Sequence, residues 1–356
     1  MTNDTITVFV TVYNIAPYLD RFFENLRRQT VRDYEVLIVD DGSTDNSLEI
    51  CRRHAANDPR IRVLTTRHIG ISAARNMAFK YIFTDLVTSL DGDDYFDENY
   101  LKHLLDAYKK YNADLVISNV IYRYENDEEF DRFSPRKEEL IEKARFGEEL
   151  PKLLTERRLN YLYAKLYRLK YLKTLHVQED VMQGSDTMLN SQYVTKINSI
   201  AVIEDYDYNY IKYTKRSVTS YNGDHVFKRL YRINNYVYKI MEEAGMLNGA
   251  MLHAIDGRIL HSGLLALRNI AKLNEPLHQK MHKAETIIQS EEYGRSYRRQ
   301  AKLGKLGEYH FTVIEPGKER EYVRDLCQKI RFNKRYESVK SNMPDWILET
   351  WRKIKK

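Results

Sequence analysis

The sequence predicts an α/β protein built on a mainly parallel sheet, and three segments carry that expectation. Residues 6–14 form an apolar run, Ile-Thr-Val-Phe-Val-Thr-Val-Tyr-Asn, that ends in polar residues. Val36-Leu37-Ile38-Val39 ends in Asp40-Asp41-Gly42, and Leu86-Val87-Thr88-Ser89-Leu90 ends in Asp91-Gly92-Asp93-Asp94. Short apolar runs that close on turn residues read as buried strands. Stretches of helical periodicity lie between them, which is the alternation of a parallel α/β sheet.

The elements follow in order. Pro17 opens an amphipathic stretch over residues 19–26. Gly42 is a turn, and Ser43-Thr44-Asp45 supplies a helix N-cap. Arg60-Ile61-Arg62-Val63-Leu64 is a short strand. Residues 70–76 turn into a helix that runs through Ala78 and Tyr81. Ligands bind such sheets outside the carboxyl ends of the strands. Thr11, Asp41, His68 and Asp91 all fall at or just beyond those ends, so they should gather along one edge. The acids Asp91, Asp93 and Asp94 sit where a strand opens into a loop, a setting that holds a hard divalent cation through oxygen. Such a cation can bridge two phosphates of a nucleotide.

Five blocks then carry a resemblance: Thr11-Val12-Tyr13-Asn14, Gln29-Thr30, residues 39–45, residues 70–76, and Leu90-Asp91-Gly92-Asp93-Asp94-Tyr95. In order and spacing they resemble the family 2 glycosyltransferases over roughly residues 5–220. In layout the chain is similar to bacterial transferases that decorate wall teichoic acid and capsule polymers. The resemblance implies a GT-A fold (Rossmann-like, mixed and mainly parallel), a UDP-sugar donor and inversion at the anomeric carbon. It implies that Asp41 contacts the uracil or ribose, for which a carboxylate is a suitable acceptor, while Asp40 braces the turn. Arg75 resembles the arginine beside the pyrophosphate, a task suited to charge-assisted bonds. Asp91 should face the ribose or metal, Asp93 should bind Mn²⁺ or Mg²⁺ directly, and Asp94 should brace the loop. Thr11 and Tyr13 belong to the nucleotide-sugar wall. Two positions depart from the pattern, which usually has Pro at Thr11 and often Asn at His68. Thr11 still offers a carbonyl and a hydroxyl. His68 reads either as a partner of phosphate or uracil or as an exposed loop histidine.

Glycosyl transfer also needs a base, because an acceptor hydroxyl must lose its proton as the new bond forms. The resemblance implies an acid ahead of a helix. Glu179-Asp180 matches by dipeptide, and Ser185-Asp186 matches by context. Residues 187–194 read as an amphipathic helix, followed by the strand Ser199-Ile200-Ala201-Val202-Ile203, then Tyr206 to Tyr210 and Lys215-Arg216-Ser217. Counted from Asp186, that succession fits the family's downstream half, so Asp186 is the expected base. Ser185 as N-cap would put it at the positive end of a helix. Ala164-Lys165-Leu166-Tyr167-Arg168 looks like the family's block before the acceptor region.

Bulk properties agree with an intracellular enzyme. The chain has 356 residues, enough for a catalytic domain over 1–222 and a helical region over 223–356. Cys51 and Cys327 make no metal-ligand spacing and read as free thiols. The first residues enter a strand with no signal peptide evident. No apolar run reaches the roughly 18 residues of a membrane span, and mean hydropathy is −0.60. The expected location is the cytoplasm, possible attachment to the inner face of the cell membrane included.

Charge concentrates at the end. Residues 329–356 hold nine Lys/Arg and three acids, a net +6 that equals the charge of the whole chain. Trp346, Ile347, Leu348, Trp351 and Ile354 lie among them at helical spacing. Two readings stay open: a basic helix lying on an anionic membrane, or a helix that docks its tryptophans on the core. A neutral body with one short basic segment argues against a nucleic-acid partner. The helical stretch over 225–300, broken at Pro276, could pack on the catalytic domain, bind an acceptor polymer or make a homo-oligomer. Residues 125–145 are highly charged and read as a mobile excursion near the acceptor side. Among 28 tyrosines, Tyr206, Tyr208 and Tyr210 are candidates to line an acceptor groove, although their alternation is also a strand pattern.

The expected function is inverting transfer from a UDP-sugar to a hydroxyl of a cell-envelope glycan, a polyol-phosphate polymer of the teichoic acid kind or a glycoprotein. The alternative is a nucleotide-sugar-binding scaffold or regulator whose catalysis has decayed.

Overall fold

The computed structural model describes residues 4–177, 179, 184–213 and 225–341, with side chains as far as residue 331. The chain divides into two units, residues 1–217 with 235–254, and residues 218–234 with 255–356.

The first unit begins with the expected alternation: β1 (Ile6–Val12), α1 (Ala16–Arg28), β2 (Tyr34–Asp40), α2 (Ser47–Asn57), β3 (Ile61–Thr65), α3 (Ile71–Tyr81) and β4 (Leu86–Ser89). There follow β5 (Tyr95–Phe96), α4 (Tyr100–Tyr111), β6 (Leu115–Ile117), β7 (Val120–Tyr124), β8 (Glu129–Arg132), β9 (Glu139–Glu142) and α5 (Phe146–Thr155). Then come β10 (Lys165–Arg168), α6 (Leu169–Leu172), α7 (Ser185–Lys196), β11 (Ser199–Val202) and β12 (Tyr208–Lys212). The main sheet has the order β3-β2-β1-β4-β10-β6-β11-β9. Its β3-β2-β1-β4 half is parallel, and β10 and β9 run against their neighbours. A second sheet, β5-β12-β7-β8, pairs β12 parallel to β7.

Why these residues hold the sheet is plain from burial. Ile6, Val8, Val10 and Val12 on β1 and Val36 and Ile38 on β2 are fully buried on a face covered by Leu19, Phe22, Phe23 and Leu26 of α1. Truncating Phe22 to Ala in such a core costs about 3–5 kcal/mol. Pro17 lies in the first turn of α1, where its missing N–H is harmless.

Residues 125–145 are corrected by the structure. They contain two strands, and β9 pairs antiparallel with β11 at the sheet edge. Exposed charges pair with one another, Arg132 with Glu129 and Arg145 with Glu139, the largely buried Arg136 pairs with buried Glu149, and Ile141 fills the core. Charge density had hidden a strand whose buried face is short.

After β12 the described chain is helical: α8 (Val226–Glu243), α9 (Gly249–Lys272), α10 (Leu277–Ile288), α11 (Glu291–Lys302) and α12 (Glu319–Ser341). Within the second unit, Gly263 lets α9 meet the Tyr293 ring, where a Cβ would fall 2.5 Å from Cε2. The Tyr293 hydroxyl donates to Ile314 O at 2.8 Å. Buried Asp256 accepts from Gln300 Nε2 at 2.7 Å. No helix among the described residues is long and apolar enough to cross a membrane. Trp346 and Trp351, and with them both readings of the tail, lie outside the described residues.

Candidate active site

The acidic loop after β4 is pinned to β1 and α1. Leu90 N donates to Phe9 O at 3.1 Å. A Cβ on Gly92 would fall 2.7 Å from Ile15 Cδ1, so a larger residue there would have to push that side-chain end aside. Asp94 turns inward, where its carboxyl accepts from the Tyr208 hydroxyl at 2.7 Å and from Ile211 N at 2.8 Å. It therefore ties the loop to β12. Arg21 Nη2 and the Tyr213 hydroxyl donate to Asp93 O at 2.8 and 2.7 Å. Arg21 and Tyr213 were not singled out in the sequence, and no local pattern there marks either.

Asp91 and Asp93 remain free to bind. No side chain of the described residues donates a hydrogen bond to either carboxyl group. Burial, then the charges of Asp93 and Asp186, push Asp91 up to about 7, with Arg75 opposing. Burial also raises Asp93, against its own amide and Arg21. Crowded, half-buried carboxylates of this kind are a hard oxygen donor set, and a divalent cation would relieve their repulsion. The residues thus fit Mn²⁺ or Mg²⁺. A second group, His103 with Asp205 and Asp207, could also hold an ion, although His103 Nδ1 already lies 2.8 Å from Asp207 Oδ2.

The helix α3 carries the next residues. Arg75 is 4% exposed. Its Nη1 donates to Ser185 Oγ at 2.8 Å and to Asp186 Oδ1. Its buried Nε has no partner among the described residues. The next residue, Asn76, donates through Nδ2 to Val177 O at 2.8 Å and accepts from Val177 N at 2.9 Å. Adjacent residues of α3 thus hold both ends of the stretch that leads into α7. That helix is capped by Gly184 in the left-handed region (φ 82), so Ser185 is its first residue rather than its cap. Asp186 still lies in the first turn, at the positive end of the helix. Asp180 lies outside the described residues.

Lys165 completes this neighbourhood. It is fully buried, and its Nζ donates to Tyr161 O at 2.8 Å and Tyr163 O at 3.2 Å. Burial pushes its ammonium down to about 7, with Asp186 opposing. The block 164–168 held this signal in the sequence, without the role.

On the other side of the loop, Asp41 is buried and already engaged. It accepts from Ile69 N at 2.7 Å and Gly70 N at 2.8 Å, and also from the Thr66 hydroxyl. His68 Nδ1 donates to Asp41 O at 3.1 Å. Asp41 therefore shapes the loop between β3 and α3, a bracing task expected of Asp40 alone. Asp40 accepts from Ser43 N at 3.2 Å. Exposed Tyr13 stacks on His68, ring centroids 4.2 Å apart. Thr11 is half-buried near the end of β1, opposite Val39.

The three tyrosines part ways. Tyr208 is buried within the Asp94 network, and Tyr206 donates to Phe133 O at 2.7 Å. Tyr210 is half-buried and faces the charges of Asp94, Asp91 and Asp93.

With this geometry in place, comparison with known proteins adds a likeness over the first half of the chain. Residues 7–175 match the model of glycosyl transferase family 2. Glycosyltransferase GlyA of Streptococcus pneumoniae serotype 4 is 36% identical over 119 residues, 33% of this chain and 17% of the relative. Glycosyltransferase GlyG of the same organism is 37% identical over 129 residues, 36% of this chain and 43% of the relative. The chain thus spans less than half the length of these two relatives. Among solved structures, S. aureus TarS 1-349 in complex with UDP-GlcNAc superposes with a TM-score of 0.61 at 17% identity, covering 88% of this chain and 95% of that one. That likeness bears out the GT-A fold.

Proposed function

We propose that the protein is an inverting, divalent-cation-dependent glycosyltransferase that moves a sugar from a UDP-sugar to a hydroxyl of a cell-envelope acceptor. The observation that carries this reading is the convergence of Asp91, Asp93, Arg75 and Asp186 at the carboxyl edge of the parallel strands. Asp91 and Asp93 would hold the cation, which when bound offsets charge on the leaving diphosphate. Arg75, with an Nε donor to spare, also faces that charge. Asp186 takes the proton of the acceptor hydroxyl. The acceptor oxygen then attacks the anomeric carbon from the face opposite the nucleotide, the bond to the diphosphate breaks, and UDP leaves with the electron pair. An α-linked donor gives a β-linked product. Tyr13, His68, Thr11 and the Asp41 loop form the nucleoside wall. The fold neighbour seen with UDP-GlcNAc supports a UDP-sugar donor. The family's capsule and teichoic acid members support an envelope glycan, polyol-phosphate polymer or glycoprotein as acceptor. A cytoplasmic site of action, with the basic segment 329–356 at the inner membrane face, agrees with such an acceptor.

The test is a panel of nucleotide sugars assayed for nucleotide release with and without Mn²⁺. Release from one UDP-sugar that needs the cation supports the reading. Absence of turnover with intact UDP binding would favour a scaffold with decayed catalysis.

A further inference from the structure

The turn between β11 and β12 meets the first turn of α4. His103 of α4 aims Nδ1 at two carboxyl groups of that turn, 2.8 Å from Asp207 Oδ2 and 3.3 Å from Asp205 Oδ1. The three ligand atoms all lie within 4.8 Å of one another. The backbone that carries them is fixed. Asp97 N donates to Asp207 O and Asn119 N to Asp205 O, both at 2.9 Å. Asn119 Nδ2 also donates to Ile203 O at 3.1 Å and to Glu204 O at 2.9 Å.

The group is short of positive charge. Asp207 is 8% exposed, and among the described residues His103 is the one side chain that donates to its carboxyl group. Burial raises that carboxyl group, against His103, and the charges of Asp205 and Asp97 raise it further. One imidazole, even protonated, does not balance two facing carboxylates with Asp97 close by. Burying a carboxylate beside like charges is costly unless a cation joins it.

Spacing and donor type select the cation. Zn²⁺ holds imidazole nitrogen and carboxylate oxygen at about 2.0–2.2 Å, so neighbouring ligand atoms of a tetrahedral site stand about 3.3 Å apart. Both separations from His103 Nδ1 lie near that spacing. Three protein ligands leave a fourth place for water, and the Asp205 side chain, 40% exposed, leaves the group open to solvent. A mixed nitrogen and oxygen set suits Zn²⁺ better than Mg²⁺ or Ca²⁺, which take oxygen. Asp91 and Asp93 offer oxygen alone, so the two places favour different ions.

We infer that His103, Asp205 and Asp207 form a second cation site, one that takes Zn²⁺ and braces the catalytic loop from behind. The ion replaces the His103–Asp207 hydrogen bond and joins α4 to the strand that holds the loop. Asp207 directly precedes Tyr208, whose hydroxyl donates to Asp94. The site stands on its own geometry and does not depend on the transferase reading.

The experiment uses the full chain, stripped with chelator and titrated with Zn²⁺ by calorimetry and in thermal melts. Asp93→Ala removes a ligand from the catalytic loop, so the zinc it retains is bound elsewhere. That variant should still take up one Zn²⁺ and melt at a higher temperature with it. Adding His103→Gln or, separately, Asp205→Asn should weaken this Zn²⁺ about a hundredfold or more, beyond the 10–100-fold usual for loss of an outer-shell partner. Either substitution should also abolish the rise in melting temperature. Asp205→Asn keeps the His103–Asp207 hydrogen bond, so its melting temperature in chelator should match that of Asp93→Ala alone. Lost zinc there reflects ligation, not unfolding. Absence of bound Zn²⁺ in Asp93→Ala overturns the site. So does Zn²⁺ held as tightly after either added substitution.

Discussion

Arg75 and Asp186, 111 residues apart, meet in a guanidinium–carboxylate pair, with Ser185 Oγ as the second acceptor on the same nitrogen. The expected diphosphate ligand and the expected base are thus held together in the free protein. Arg75→Lys keeps the charge but loses the planar fork. It is expected to fold, to bind UDP several-fold more weakly and to lose turnover as well, because two tasks share one side chain. Calorimetry with UDP beside steady-state rates measures both. A change in UDP affinity alone would separate Arg75 from the base.

Asp93→Ala is expected to abolish cation-dependent UDP binding while leaving the fold intact. No side chain of the described residues holds its carboxyl group, and it is the Asp93 carbonyl that Arg21 and Tyr213 anchor. Titration with Mn²⁺, then with excess chelator, measures this. Equal UDP affinity in chelator would remove the cation from the account.

Cation affinity should depend on pH through Asp91. Its carboxyl group is pushed up to about 7, so a proton competes with the cation below that value. Mn²⁺ binding should weaken by up to about tenfold per unit below pH 7 and level off above it. Without cation the sign for stability is the reverse. A carboxyl raised in the folded state stabilises it fully below the unfolded value of about 4, and that contribution is lost as pH rises through 7. Melts from pH 4 to 8 with and without Mn²⁺ should diverge, and Asp91→Asn should flatten the difference.

Tyr208→Phe tests the brace. It removes the donor from buried Asp94 Oδ2, and an unsatisfied buried acceptor costs about 1–3 kcal/mol. A lower melting temperature with weakened cation binding is expected, since Asp94, in the loop that carries Asp93, loses one of its two ties to β12, the other being Ile211 N.

How much of this was legible follows residue by residue. The parallel half of the sheet was, because Val36 to Val39 is an uninterrupted apolar run and Leu86 to Leu90 a mainly apolar one, both closed by turn residues. The alignment of Asp41, His68 and Asp91 along one edge then followed from strand order. The antiparallel insertion of β10 between β4 and β6 was not, because register across 50 residues leaves no local mark. The same holds for the Arg75–Asp186 pair and for Arg21 on Asp93. Tyr206, Tyr208 and Tyr210 alternate as a strand should, but alternation cannot say which face is buried, and Tyr208 proved to be structure. Asp40 and Asp41 are both buried, and only the path of the Thr66 to Gly70 backbone shows that Asp41 organises the loop. Gly184 took the cap expected of Ser185 because the chain enters α7 through a left-handed turn.

The most direct test is Asp186→Asn, measured for UDP affinity with Mn²⁺ and for turnover of the UDP-sugar that the wild type uses. The account expects unchanged melting temperature, UDP affinity within a few-fold, and turnover lower by about 10²–10⁴, the usual worth of a general base. Full turnover in Asp186→Asn, with a silent Asp180→Asn, would contradict it and move the base to the other acid.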